Sequence, residues 1–462
     1  MIARSLATTA FEQLMLSQDS PSYPCVIFMR LQFEGRVSRP AFEEAVRHTA
    51  ELHPLLRSRI DVANRRPSWV IEDASQVRVE WTSEATTHQW LADSFVDMER
   101  EVSFRVVGHD LPNAFEAVLI MHHVAADGLG MLNAVHDMLH LYDGKCRGVT
   151  VSLPEYSPDL LPLRNSFGLT AGSILKLIPK QLVGLLGVRQ YLMRKPKPIV
   201  PHKAILEPER QPLPVTAVRT VFDTRETRSL RDAAMSLSIT LNELIASAIF
   251  RALSEFRSAR GNQSDDDWLR MMVPISMRTT AADNRQTACN IVSSVFLDRT
   301  PEQIRNLNAL RQGIHEEMEL IKRNKLAFMF NFSVWVRSRM QRGRIAAEQP
   351  KRCQTSLVFT NLGKLFQKSP LTSDDKRLQC GDLRLNAAEI MAPLTPHMCA
   401  AFSAAIYAEQ LFLVLHYDSR VLEKASADEL CERVRSELEP YLKPAAAETS
   451  SDAGESVEKS RV

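Results

Sequence analysis

What the sequence lacks narrows it first. It has no excess of either charge: 57 Lys and Arg stand against 55 Asp and Glu, a net +2. Nothing in the bulk charge therefore calls for a nucleic-acid partner, whose binders concentrate basic residues. Paired cysteines are absent too. Cys25, Cys146, Cys289, Cys353, Cys380, Cys399 and Cys431 are odd in number, scattered and never spaced as CxxC, which excludes a zinc ribbon or disulfide framework and reads as a reduced, intracellular chain. The N-terminus has neither the uninterrupted apolar core nor the small-residue cleavage site of a secretory signal. A run of about twenty uncharged apolar residues, which a transmembrane helix needs, does not occur. A cytoplasmic protein is expected, and no internal repeat is visible.

What is present is the composition of a folded globular chain, 45% hydrophobic and 24% charged over 462 residues, a length suited to two domains. Residues 25–33 alternate, placing Ile27, Met29, Leu31 and Phe33 on one face of a strand. A helix follows, with Ser38 as N-cap and Phe42, Ala45, Val46, Thr49 and Leu52 at helical spacing, ending near His53-Pro54. Short strands are predicted at 69–72, 77–81 and 104–107, and an apolar central strand at 115–121. Met131, Leu132, Val135, Met138, Leu139 and Tyr142 then form one face of a helix that Gly144 closes.

Beyond a connecting stretch, a strand at 215–222 precedes helices at 225–236 and 240–256, the latter capped by Thr240. Strands at 269–273, 291–297, 356–360, 401–408 and 411–417 and helices at 302–323, 331–345 and 420–442 complete the pattern. The small, charged tail from 445 is expected to be disordered. The implied division is 1–165, a linker at 166–205, 206–444 and the tail 445–462.

The chemistry concentrates in His122-His123-Val124-Ala125-Ala126-Asp127-Gly128, where an apolar strand yields to a loop and then a helix, a common place for reactive side chains. Adjacent strand residues point to opposite faces, so one histidine faces a cavity and the other the interior. An imidazole suits removal of a proton from an alcohol or amine attacking an acyl thioester. Asp127 is better used structurally, paired with an arginine. Gly128 leaves room for a substrate arm. The HxH, HxxxH or HExxH spacing of a zinc site is missing, so no metal is expected. His136 and His140, at i and i+4, read as a polar fringe.

HHVAADG fits the HHxxxDG signature, and the chain resembles the acyltransferase superfamily of peptide-synthetase condensation domains, chloramphenicol acetyltransferase, alcohol acyltransferases, polyketide-associated acyltransferases and wax ester synthases. Further blocks carry the likeness over roughly residues 1–440: Leu52-His53-Pro54-Leu55-Leu56-Arg57-Ser58-Arg59, Thr240–Phe256 with Val273-Pro274-Ile275-Ser276-Met277-Arg278, Asn290, and Thr360-Asn361-Leu362-Gly363. Cys289 stands where many relatives have glycine, and the plant-type DFGWG motif is absent.

The resemblance implies an α/β fold of two chloramphenicol-acetyltransferase-like halves in a V, with a tunnel at their junction. It makes His123 the general base, with no covalent intermediate, and pairs Asp127 with Arg278. It implies no permanently bound cofactor: acyl-CoA or an acyl-phosphopantetheine carrier protein is donor and co-substrate, and an alcohol, or for a condensation-type enzyme an amine, is acceptor. A non-catalytic module binding a carrier protein or lipid is the rival class. Asn361 and Gly363 either line the site or merely end a strand. Residues 167–198, apolar with basic residues around them, either pack on the second domain or touch the inner face of a membrane peripherally. Gly172, Pro179, Gly184 and Gly187 weaken a long continuous helix there.

Overall fold

The computed structural model describes residues 5–63, 66–82, 94–165, 171–202, 213, 215–278, 287–341 and 352–442. The tail from 445 lies outside them. In chain order the elements are β1 (Ser5–Ala7), α1 (Ala10–Gln18), β2 (Val26–Glu34), α2 (Arg39–Leu52), β3 (Ser58–Asp61), β4 (Ser68–Ile71), β5 (Val79–Thr82), β6 (Phe104–Leu111), β7 (Ala114–His122), α3 (Gly128–Arg147) and α4 (Ala171–Met193). There follow β8 (Thr216–Phe222), α5 (Thr224–Ser236), α6 (Leu241–Ala259), β9 (Leu269–Ser276), β10 (Val292–Arg299), α7 (Pro301–Arg305), α8 (Leu307–Asn324) and α9 (Ala327–Met340). The chain closes with β11 (Leu357–Lys364), β12 (Gln379–Cys380), β13 (Leu383–Met391), β14 (Ala400–Tyr407), β15 (Gln410–Tyr417) and α10 (Lys424–Leu438).

Two six-stranded sheets organise the molecule, in the orders β12-β13-β2-β7-β6-β5 and β10-β9-β11-β14-β15-β8, beside a small sheet β1-β4-β3. This is the mixed α/β architecture the sequence implies. β7 is apolar on both faces because both are covered. Phe115, Ala117, Leu119 and Met121 join Phe42, Val46, Met131 and Leu139 of α2 and α3 in one core. Val118 and Ile120 join Phe28, Leu55, Met277 and Ile291 in a second cluster that draws on both halves. A third core packs α6 and α10 on the other large sheet.

Several elements depart from expectation, each for a local reason. The division at 166–205 is not respected by every strand: β12 and β13, from within 206–444, extend the first sheet, with Leu385 opposite Phe33 and Ile390 opposite Met29. α3 does not stop at Gly144. It runs to Arg147, and Gly148, at φ +66°, makes the left-handed cap; Gly144 is needed because a Cβ there would lie 2.8 Å from Val151 Cγ1.

The stretch 302–323 breaks at Asn306, whose side chain caps α8 by accepting from Ala309 N. α9 begins at 327, earlier than the spacing suggests. Ser38 makes no side-chain cap; Pro40 in the first turn supplies the start. Thr240 does cap α6, in a reciprocal box with Glu243. α4 is one helix of 23 residues despite Pro179 and its glycines; Gly184 gives contact in return, its Cβ position lying 3.2 Å from Met329 Cε.

Among the described residues no single helix is long and apolar enough to cross a membrane. The bent pair α5–α6 meets that test jointly, but α6 spends Leu244, Ile249, Phe250 and Phe256 on the third core.

Candidate active site

The end of β7 separates the two histidines. His122 is fully buried. Its Nδ1 accepts from Val124 N at 3.3 Å, so Nε2 carries the hydrogen, and Nε2 lies 3.2 Å from Asp19 Oδ2. That contact is at ion-pair range and is not a directed hydrogen bond. Asp19 Oδ1 also accepts from Cys25 N at 2.7 Å. The pair ties the α1–β2 turn to β7.

His123 instead lines a cavity of about 390 Å³. Its amide donates to Cys25 O at 2.8 Å, while Nδ1 lies 3.1 Å from Ala126 O. A carbonyl can only accept, so Nδ1 carries the hydrogen and Nε2 keeps its lone pair. Nε2 makes no bond among the described residues. Burial pushes the ring's pKa below its ordinary value; the hydrogen bonds and Asp127 pull the other way without cancelling the effect, and His122 adds to it. The neutral form, which can take a proton, therefore persists at neutral pH.

Asp127 does a different job. It caps α3, Oδ1 accepting from Gly130 N at 2.8 Å. Oδ2 accepts from Arg278 Nη1 at 2.6 Å and from Ile291 N at 2.8 Å. Arg278 Nη2 donates to Cys289 O at 3.1 Å. The first-half carboxylate thus meets the second-half arginine, as the resemblance implies, and both grip the loop leading into β10.

His53 holds the same segment from another side, its Nδ1 accepting from Ala288 N at 2.9 Å while Nε2 meets Asp137 Oδ2 at 2.9 Å. Asn290 Nδ2 donates to His123 O at 2.8 Å. Loop 287–291 is consequently clamped by His53, His123, Asp127 and Arg278. Cys289 sits within it as a buried thiol whose pKa is pushed up to about 12, chiefly by desolvation, so it stays protonated and is no nucleophile at neutral pH.

Gly128, Arg278, Asn361 and Gly363 all line the cavity with His123 and Asp127, whereas His122 and Asn290 stand behind it. A Cβ at Gly128 would lie 2.6 Å from Leu362 Cδ2, so the glycine admits Leu362 at least as directly as it admits a substrate. Asn361 Oδ1 accepts from Gly363 N at 2.6 Å: the run does not end the strand but is an irregularity within β11, which pairs on to Lys364, and a cavity wall at once. Ala126, Asp19 and Ile291 were missed, as was Asn242, which lines the cavity and whose Oδ1 accepts from Asn361 Nδ2. The Ala126 carbonyl was within reach, since a loop residue three places after a histidine can fix its tautomer. The Asp19 contact had no signal in spacing.

Pairing of His136 Nε2 with Ser369 Oγ at 2.7 Å and with His140 Nε2 at 3.2 Å makes these two histidines a partly buried polar cluster, and no group able to hold a metal is found among the described residues. A second cavity of about 220 Å³ shares Lys364 and Ile406 with the first and is predominantly basic, with Arg231, Lys368 and Lys376 against the one carboxylate of Glu409 among its described lining residues.

The sequence matches no protein-family model and no curated protein. Its fold does have relatives. The first condensation domain of the CDA synthetase matches with a TM-score of 0.68 at 13% identity, over 96% of this chain and 97% of that one. Trichothecene 15-O-acetyltransferase from Fusarium sporotrichioides gives 0.69 at 11% identity, over 95% and 96%. The epimerization domain of the third module of tyrocidine synthetase B gives 0.66 at 14%, over 95% and 96%. The chain has the fold of condensation domains and related acyltransferases. That fold carries more than one reaction, so the chemistry rests on the site.

Proposed function

We propose that the protein transfers an acyl group from a thioester donor to an alcohol, with His123 as general base and no covalent enzyme intermediate. The carrying observation is the His123 ring: Nδ1–H held by Ala126 O, Nε2 unengaged, and the ring lining the cavity between the halves. Nε2 takes the hydroxyl proton as the oxygen attacks the thioester carbonyl. The thiolate leaves with the proton returned from the imidazolium, and ester and thiol are released.

An alcohol is favoured over an amine by charge. Among the described residues Asp127 is the cavity's sole acidic side chain, and Arg278, Gly130 and Ile291 already occupy it. The other charged lining groups, Arg278 and Lys364, are cations. An ammonium acceptor would find no counter-charge, whereas a hydroxyl needs none. Ile27, Leu129, Leu241, Val292 and Ile390 suit an apolar acyl chain or acceptor.

On the donor side, Lys364, Lys368, Lys376 and Arg231 in the adjoining cavity suit a thioester carrying phosphate, as acyl-CoA or acyl-phosphopantetheine does. Thiol release from a panel of acyl-CoA donors with alcohols and amines tests the reading. Ester formation supports it, and amide formation alone would overturn the alcohol assignment. Lys364→Glu should raise KM for acyl-CoA by about tenfold, the loss of one charge-assisted contact, while leaving a phosphate-free N-acetylcysteamine thioester unaffected.

A further inference from the structure

Of thirteen large apolar side chains that the described residues leave well exposed, eight lie on α4 and α9, among them Leu185, Leu186, Leu192, Met193, Phe332 and Trp335. The concentration is the observation, since scattered single exposed leucines need no explanation. Leu175, Ile178 and Leu182 of the same helix lie outside the described side chains. The two helices form one surface. Gly184 of α4 approaches Met329 and Leu326, and Gln181 Nε2 donates to Asn324 O at 3.0 Å, just before α9. Phe332 and Trp335 stack with ring centroids 5.8 Å apart, and the Arg339 guanidinium lies 5.2 Å from the Trp335 ring.

Within the stretches that hold the two helices the charge has one sign, although α8, packed on α4, brings Glu316, Glu317 and Glu319 nearby. The chain holds 55 acidic residues, yet none falls between 160 and 206 or between 320 and 347, the stretches that contain α4 and α9. Exposed Lys180, Arg189, Lys195 and Lys325 form no ion pair among the described residues, whereas Arg323 lies near Glu319. Arg194 and Lys197, by contrast, are tied to Asp298 and Asp267 and do not count toward it. A stripe of leucine and aromatic side chains flanked by unpaired cations and free of carboxylates is what an interfacial helix presents to an anionic bilayer. Exposed cations beside exposed apolar side chains complement a plane of anionic headgroups over acyl chains, which favours a lipid surface as the occupant.

We infer that α4 and α9 together form the surface by which this protein docks reversibly on an anionic membrane, without spanning it. α9 also links that surface to the cavity. On its inner side Asn331 Nδ2 donates to Val292 O at 3.3 Å and Ser293 Oγ donates to Ala327 O at 2.6 Å, and Val292 lines the cavity. The lipid-facing side of α9 is therefore one helix thickness from the site. On the acyl-transfer reading, docking lets a poorly soluble long-chain donor or acceptor enter from the bilayer.

Co-sedimentation with phosphatidylglycerol vesicles, against phosphatidylcholine vesicles, at low and high salt tests this. Binding is expected to phosphatidylglycerol, weakened by salt. It should fall on the order of 100-fold in the triple variant Arg189→Glu, Lys195→Glu, Lys325→Glu, each charge acting near the surface. Leu185→Ser with Leu186→Ser should weaken binding at both salt levels. A blue shift of tryptophan emission on binding should be lost in Trp335→Phe.

No binding at low salt, or binding indifferent to both sets of changes, overturns the inference. So does capture of an acidic carrier protein through these residues with no vesicle binding. The variants should turn over soluble short-chain substrates normally and melt as wild type does. A wild type that binds vesicles but transfers no acyl group would remove the functional reading and leave docking standing.

Discussion

Loop 287–291 with the end of β7, and the outer face of α4 and α9, are opposites in how they spend polar and apolar groups. At the first, Asp127 is nearly buried and accepts three hydrogen bonds, and His53, His123, Asn290 and Arg278 each have a named partner. At the second, leucine, methionine and tryptophan face water and several cations lack counter-charges. The contrast separates two uses of a surface. The junction that holds one imidazole in one tautomer is over-determined, whereas the outer face of the two helices leaves its polar and apolar groups incomplete.

The largest effect is expected from the imidazole itself. His123→Ala should cost about 10²- to 10⁴-fold in kcat, the usual loss of a general base, while shifting the melting temperature little, since only the bond to Ala126 O disappears. Thiol-release kinetics beside a thermal melt check this, and wild-type turnover in the variant would end the assignment. Asp127→Ala comes next. It removes the carboxylate from the Arg278 guanidinium and the acceptor from the Ile291 amide together, at about 3–5 kcal/mol for a buried pair broken on one side. Denaturant unfolding should register that loss, and Arg278→Ala added to it should cost much less than Arg278→Ala alone.

A smaller effect is expected from pH. Burial lowers the pKa of His123, His136, His140 and His416. Between those lowered values and the ordinary 6.5, the unfolded chain binds protons that the native chain refuses. Stability is thus fully present above about pH 6.5 and declines as pH falls below it. Melts at pH 7.5 and 5.5 should differ accordingly, before most carboxylates protonate, and the acid limb of kcat/KM should lie below 6.5 because His123 must be neutral to act. Neither α4 nor α9 contains a histidine, so the exposed face contributes nothing to this. The smallest effect belongs there: Leu186→Ser or Leu192→Ser should change unfolding free energy by no more than about 0.5 kcal/mol, and a larger loss would mean that the face is packed in solution.

The sequence exposed the parts of this molecule that depend on local rules. β7 was visible as an apolar run, α6 through its Thr240 cap, and the HHVAADG turn as a loop between strand and helix. The Asp127–Arg278 contact was reached by resemblance alone, because no periodicity links residues 151 apart. What stayed hidden was long-range. β13 alternates weakly as Leu-Arg-Leu-Asn-Ala-Ala-Glu-Ile-Met, and its place beside β2 rests on tertiary pairing across the chain. Asp19 near His122, and His53 on Ala288, are meetings of loops that only the assembled fold makes. Cys289 looked like a departure in a motif, and its burial made it inert.

The placement of β13 also sets a timetable. β2 emerges early in synthesis, with β7 on one side of it, but its other neighbour comes about 350 residues later. Until then the outer edge of β2 is an unpaired row of amides and carbonyls, the kind of edge that recruits other chains. Closing so long a loop is slow relative to local pairing. A ribosome-bound first half is thus a sheet with an open seam, and fragments cut near residue 205 should aggregate unless the second half, or a peptide spanning 379–391, is supplied to close it.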